Sequence, residues 1–81
     1  MARIKYIRTK EDTIIVFSEL FEHSKFANFN PISAGFVSFG TDKDGELNCT
    51  CYGYSASLKL ESKGEEDAGL VKMEILGYKY Y

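Results

Sequence analysis

The chain has no tryptophan, one proline, one histidine and two cysteines among its 81 residues. Each scarcity removes a class of protein. The seven glycines stand singly at separate places, so neither a Walker loop nor a dinucleotide fingerprint can be written. Cys49 and Cys51 are too close in sequence to staple distant elements, which argues against a secreted disulfide scaffold and for reduced thiols. Two thiolates and one imidazole fall short of a zinc site unless a symmetric dimer pools the cysteines. No apolar run approaches the roughly 20 residues of a membrane span. The N-terminus also lacks the basic, apolar and small-residue order of a secretory signal, so the expected location is the cytoplasm, with no membrane partner. Basic excess is missing too. The formal net charge is -2 and the sequence pI is about 5.3, so a distributed nucleic-acid footprint is disfavoured.

What is present is a globular composition, 44% apolar and 15% aromatic. Its length fits a single domain over residues 1–81. A chain this short buries only about 60–65% of its unfolded surface, which raises the expectation of a homo-oligomer. Charge is unevenly placed: Arg3, Lys5, Arg8 and Lys10 precede every acidic residue, the first of which is Glu11. The expectation is a solvated edge strand guarded by charge. Contact with an anionic ligand or an acidic partner is the alternative.

The pattern along the chain predicts an α+β fold, a small mostly antiparallel sheet of four to five strands with one short and one C-terminal helix. Residues 3–8 and 13–17 read as a hairpin around Lys10, Glu11 and Asp12. Ser18 is placed to cap a short helix running to about Ala27, ended by Asn28, Asn30 and Pro31. Residues 32–40 carry apolar or small side chains on both faces, as a central strand does. The stretch Asp42 to Gly45 is a hairpin turn. Beyond it Leu47, Cys49 and Cys51 share one strand face, and Gly53 marks a bend. Residues 54–61 alternate, with Tyr54, Ala56, Leu58 and Leu60 as the oily face of a further strand or a bent continuation. Ser62 and Glu65 have capping-box spacing, predicting a helix over 65–76 closed by Gly77. Val71, Met73 and Ile75 alternate as a strand would, so the helix competes with a period-two reading.

Catalysis has little to stand on. His23 with Ser24, another serine or a cysteine can be paired on paper, but no nucleophile elbow or protease signature surrounds it, and no enzyme is expected. Glu65, Glu66 and Asp67 point in different directions at a helix start, which suits the helix dipole better than a divalent ion. No cofactor or metal is implied. The remaining candidates are Lys5, Arg8 and Lys59 for charge, Tyr52 and Tyr54 for stacking, and Ser55 and Ser57 for hydrogen bonding, together a site for a small anionic ligand. An ordinary solvated sheet face is the alternative.

The run Lys5-Tyr6-Ile7, residues 13–17, His23-Ser24 with Phe26, the segments 30–40 and 51–62, and the acidic triplet 65–67 form a chain-long pattern. It resembles small uncharacterised proteins encoded by phages and prophages. That resemblance implies an accessory protein in the host cytoplasm that counters host defence, by sequestering a nucleotide-like signal or by blocking a host protein. It supplies no catalytic or ligand residues. The expected function is therefore non-enzymatic binding by a homo-oligomer. A structural or assembly component joined through a sheet edge and the aromatic tail Tyr78 to Tyr81 is the rival.

Overall fold

β-Branched and aromatic residues dominate Ile4–Thr9 (β1) and Ile14–Ser18 (β2), which pair antiparallel in the computed structural model. The structure describes residues 3–77. Asp12 makes the turn between the two strands at φ 65, while Thr9 and Thr13 exchange hydrogen bonds across it. The long strand Pro31–Thr41 (β3) pairs with β1, and Leu47–Tyr52 (β4) pairs with β3, giving the sheet order β2-β1-β3-β4. At the β3–β4 turn Gly45 supplies φ 80, and Asp42 Oδ1 accepts the amides of Asp44 and Glu46. Two short strands, Tyr54–Ser55 (β5) and Leu60–Glu61 (β6), form a separate hairpin before the helix Glu65–Glu74 (α1).

Alternation along the strands decides what lies on each face. Tyr6, Ile14, Val37, Cys49 and Cys51 point toward α1, where Ala68 and Val71 close the core. Burying Val71 completely stabilises the fold by about 2 kcal/mol relative to an exposed valine. The opposite face carries Ile7, Ala34 and the rings of Phe17 and Phe36. A 3-10 helix over His23–Phe29 covers part of that face, with His23 edge-on to both Phe17 and Phe36 and Phe26 against Phe17.

The α+β expectation holds, with four strands in the main sheet, and segment 65–76 is helical from Glu65 to Glu74. Four local expectations need correcting. The basic N-terminal segment is not an edge strand: β1 lies between β2 and β3, so both of its backbone edges are already paired. Ser18 ends β2 rather than capping a helix. Its Oγ accepts the Leu20 amide in a turn, and helical hydrogen bonding starts at His23 without a side-chain cap. The reason lies in spacing, since Leu20 and Phe21 are exposed and no apolar stripe of period 3.6 exists to hold a longer α-helix there.

Residues 54–61 do not form one strand. Lys59 adopts φ 56 and Ser55 Oγ accepts the Leu58 amide, so the chain folds back after two residues, with Ser55 inward and Tyr54 outward. The capping box also fails. Gly64 is the N-cap residue, Ser62 Oγ accepts the Gly64 amide, and the carboxylate that reaches back is Asp67, to the Lys63 amide at 3.0 Å. The aromatic tail 78–81 lies outside the described residues.

Gly35 explains how the chain crosses from the sheet to the helix. A Cβ there would stand 2.4 Å from the Tyr52 carbonyl oxygen and 3.2 Å from Ser62 Cβ. Only a bare backbone admits this approach. Gly53, at φ 90, turns the chain at the end of β4, and its carbonyl accepts the Ser62 amide. Residue 62 is thus set over Gly35 and α1 starts above the sheet.

Candidate binding cleft

Two features of the α1 face are built from side chains whose roles differ. The first is a buried polar cluster. Asp67 is fully buried, and its Oδ2 accepts Ser33 Oγ at 2.7 Å, the Lys63 amide at 3.0 Å and the Tyr6 hydroxyl. A carboxylate can only accept, so the single hydroxyl hydrogen of Tyr6 goes to Asp67 and Ser62 donates to Tyr6 across 2.7 Å. Asp67 Oδ1 accepts Arg8 Nη1 at 3.1 Å. Burial alone would raise the Asp67 pKa, but the donors from Tyr6, Ser33, Lys63 and Arg8 outweigh it and hold the carboxyl below its ordinary value. Burial and the same carboxylate push the Tyr6 hydroxyl well above the usual phenol range.

Arg8 completes this cluster. Its Nη1 also donates to Glu66, while Nε and Nη2 both donate to Asp12 Oδ1, at 2.9 and 2.7 Å. All three guanidinium nitrogens are engaged with carboxylates of the same chain, and the residue is buried. The cluster ties β1 and β3 to the start of α1 and leaves no buried side-chain polar atom unpaired among the described residues. Such satisfaction is what a low-dielectric interior requires.

The second feature is a cleft. β4 has β3 as its one sheet neighbour among the described residues, so its other edge faces outward. The Cys49 amide points along that edge and is taken by the side-chain Oδ1 of Asn48 at 2.9 Å. Beside the edge an open cavity of about 520 Å³ separates residues 48–51 from α1. Gly64, Ala68 and Gly69 leave the helix wall low, and Glu65 and Lys72 bound it with opposite charges. Cys49 and Cys51 form the floor, and Cys49 Sγ donates to the Ala68 carbonyl at 3.4 Å. Burial raises both thiols, Cys51 to about 12, with Lys72 opposing the shift at Cys49. These are packed thiols rather than nucleophiles.

The seven residues expected to form one anion site are dispersed. Arg8 is in the buried cluster. Lys5 lies on the opposite sheet face and donates its Nζ to the Phe21 carbonyl at 2.9 Å. Tyr52 is on that same face, stacked on Phe36, whose ring also takes the Arg3 guanidinium at 4.2 Å. Tyr54, Ser55, Ser57 and Lys59 belong to the β5–β6 hairpin, where Ser55 is buried and its Oγ stands 3.4 Å from Ser57 Oγ. Lys59 is exposed at the turn. None of the seven lines the cleft.

His23 has a carbonyl and two aromatic rings as partners. Its Nε2 donates to Gly35 O at 2.9 Å, and burial lowers its pKa. Among the described residues no three His, Cys, Asp or Glu side chains gather as a metal site would require. No described helix is long and apolar enough to cross a membrane.

The cleft residues were legible only as a pattern. Glu65, Ala68, Gly69 and Lys72 fall at i, i+3, i+4 and i+7, one face of a helix with small residues between opposite charges. No protein-family model, curated protein or solved structure matches this chain. Its functional reading therefore rests on this geometry.

Proposed function

We propose that the chain is a non-enzymatic binding protein that takes up an extended polypeptide segment along β4, in the cleft against α1. The observation that carries this reading is the juxtaposition of an outward-facing strand edge with an open cavity of about 520 Å³. An added strand would complete the β4 ladder by main-chain hydrogen bonds while alternate side chains enter the cavity. Low helix residues at Gly64, Ala68 and Gly69 provide the clearance.

A protein partner fits this site better than a small anion. Lys72 is the cleft's single cation among the lining residues, and Glu65 balances it. The cations first assigned to an anion are engaged elsewhere, Arg8 with three carboxylates and Lys5 with a carbonyl.

The test uses Gly69→Leu. Nothing lies within 4 Å of a Cβ built at Gly69, so the longer side chain grows into open space, and helix propensity favours it by about 0.8 kcal/mol. The variant should fold at least as stably as the parent and lose uptake of extended peptides from a random library. Peptide uptake that survives Gly69→Leu, or that leaves hydrogen exchange at the outward-facing Cys49 and Cys51 amides unchanged, would overturn the reading.

A further inference from the structure

We infer that the extended segment seated on β4 is β4 of a second copy, so that two chains pair edge to edge about a two-fold axis beside Cys49 and Ala68. The inference rests on the strand-addition reading above and names its partner. Three observations converge on that axis.

First, the Cys49 amide is directed away from β3, and what satisfies it is its neighbour's side chain, Asn48 Oδ1. An antiparallel copy of β4 with Cys49 opposite Cys49 of the partner subunit would exchange main-chain hydrogen bonds at this point. The same register sets Asn48 against Thr50 of the partner subunit. Asn48 Oδ1, released from the amide, gains a hydroxyl donor there.

Second, the centre of the helix stripe lies over the same residue. Cys49 Sγ donates to the Ala68 carbonyl, and Ala68 and Gly69 are the midpoint of Glu65, Ala68, Gly69 and Lys72. A two-fold axis normal to the sheet reverses the direction of any element that runs parallel to the sheet plane. The two α1 helices are then antiparallel, and Ala68 and Gly69 present the low surface that close approach of helices needs.

Third, the charges are self-complementary about that midpoint. Glu65 stands one turn before Ala68 and Lys72 one turn after Gly69, so the axis sets Glu65 against Lys72 of the partner subunit, twice. Neither residue makes an ion pair within its own chain among the described residues. A head-to-head approach with any other register sets like charges together or leaves both unmatched. A second copy also meets the physical need of an 81-residue chain, whose small core gains from further burial.

Sedimentation velocity across a dilution series of the full chain tests this with Glu65→Lys, Lys72→Glu and the double swap. The parent should dimerise. Each single reversal turns two attractive pairs repulsive and should weaken the dimer about 10- to 100-fold. The double swap restores both pairs and should recover the parent affinity, which no foreign partner could produce. A monomeric parent, a dimer indifferent to the single reversals, or a double swap that fails to recover would each overturn the inference. A monomeric parent that still takes up library peptides, and loses them with Gly69→Leu, would leave the strand-addition reading standing without this partner. A dimer that survives both Gly69→Leu and the reversals is joined through another face and overturns the inference, and peptide uptake then decides the strand-addition reading by itself.

Discussion

Replacing Asp67 by Asn keeps the side-chain shape and removes the charge at the one side-chain carboxylate that is completely buried among the described residues. The amide oxygen can take the place of Oδ2 and keep its three donors, Tyr6, Ser33 and the Lys63 amide. The amide nitrogen then faces Arg8 Nη1, donor against donor. The lost hydrogen bond is a charged one, worth about 1.5–3 kcal/mol, and the three retained bonds lose their charge assistance. Arg8 keeps Asp12 and Glu66, but both are more than half exposed, so solvent screening limits what they return. The total comes to about 3 kcal/mol, at the lower end of what removing one partner from a buried pair costs.

For a domain of this size that corresponds to a fall in Tm of about 12–24 °C. Urea unfolding followed by circular dichroism, with thermal melts, measures it. The pH dependence adds a check. The Asp67 pKa is depressed in the folded state, so its contribution is complete above the ordinary carboxyl pKa and disappears as pH falls through the folded value. The gap between parent and Asp67→Asn should therefore close in acid. A cost below about 1 kcal/mol at neutral pH, or a gap independent of pH, would refute the account of Asp67 as the charged centre of this cluster.

His23 behaves in the opposite chemical sense but in the same direction of pH. Its folded pKa is lowered, so the unfolded chain takes up the proton first and stability declines as pH drops below about 6.5. His23→Gln, which keeps an N–H for the Gly35 carbonyl, should flatten that decline between neutral and mildly acid pH; an unchanged slope in denaturant midpoints counts against it. Gly35→Ala sets a methyl 2.4 Å from the Tyr52 carbonyl and should cost about 2–3 kcal/mol. Gly40→Ala, with nothing within 4 Å, is the neutral control in the same strand, and equal stability of the two variants would rule out the crossing at Gly35.

Local chemistry carried much of the architecture. The Asp42–Gly45 turn, the inward pair Cys49 and Cys51, and the bend at Gly53 follow from turn propensity and strict alternation, which act over a few residues and need no partner. The strand-like run at Val71, Met73 and Ile75 was outweighed because α1 buries Ala68 and Val71 three residues apart against the sheet, a helical spacing. Where several short elements had to be ordered, the pattern was silent. Basic residues on β1 looked like edge protection, yet β1 is internal, because strand order depends on which hairpin docks on which and not on any one strand's residues.

The candidate site marks the same boundary. Composition and spacing by themselves gave an α+β fold and the absence of familiar nucleotide-loop motifs, since these depend on residue type and interval, while over 65–76 they left helix and strand in competition. Only the tertiary structure decided what the charges do. Arg8 and Asp67 are 59 positions apart, and nothing local tells either that the other will neutralise it. Once Gly35 lets the chain cross the sheet and start α1 above it, Arg8 is spent inside the fold. The cleft then opens where an edge strand meets the small residues of a helix.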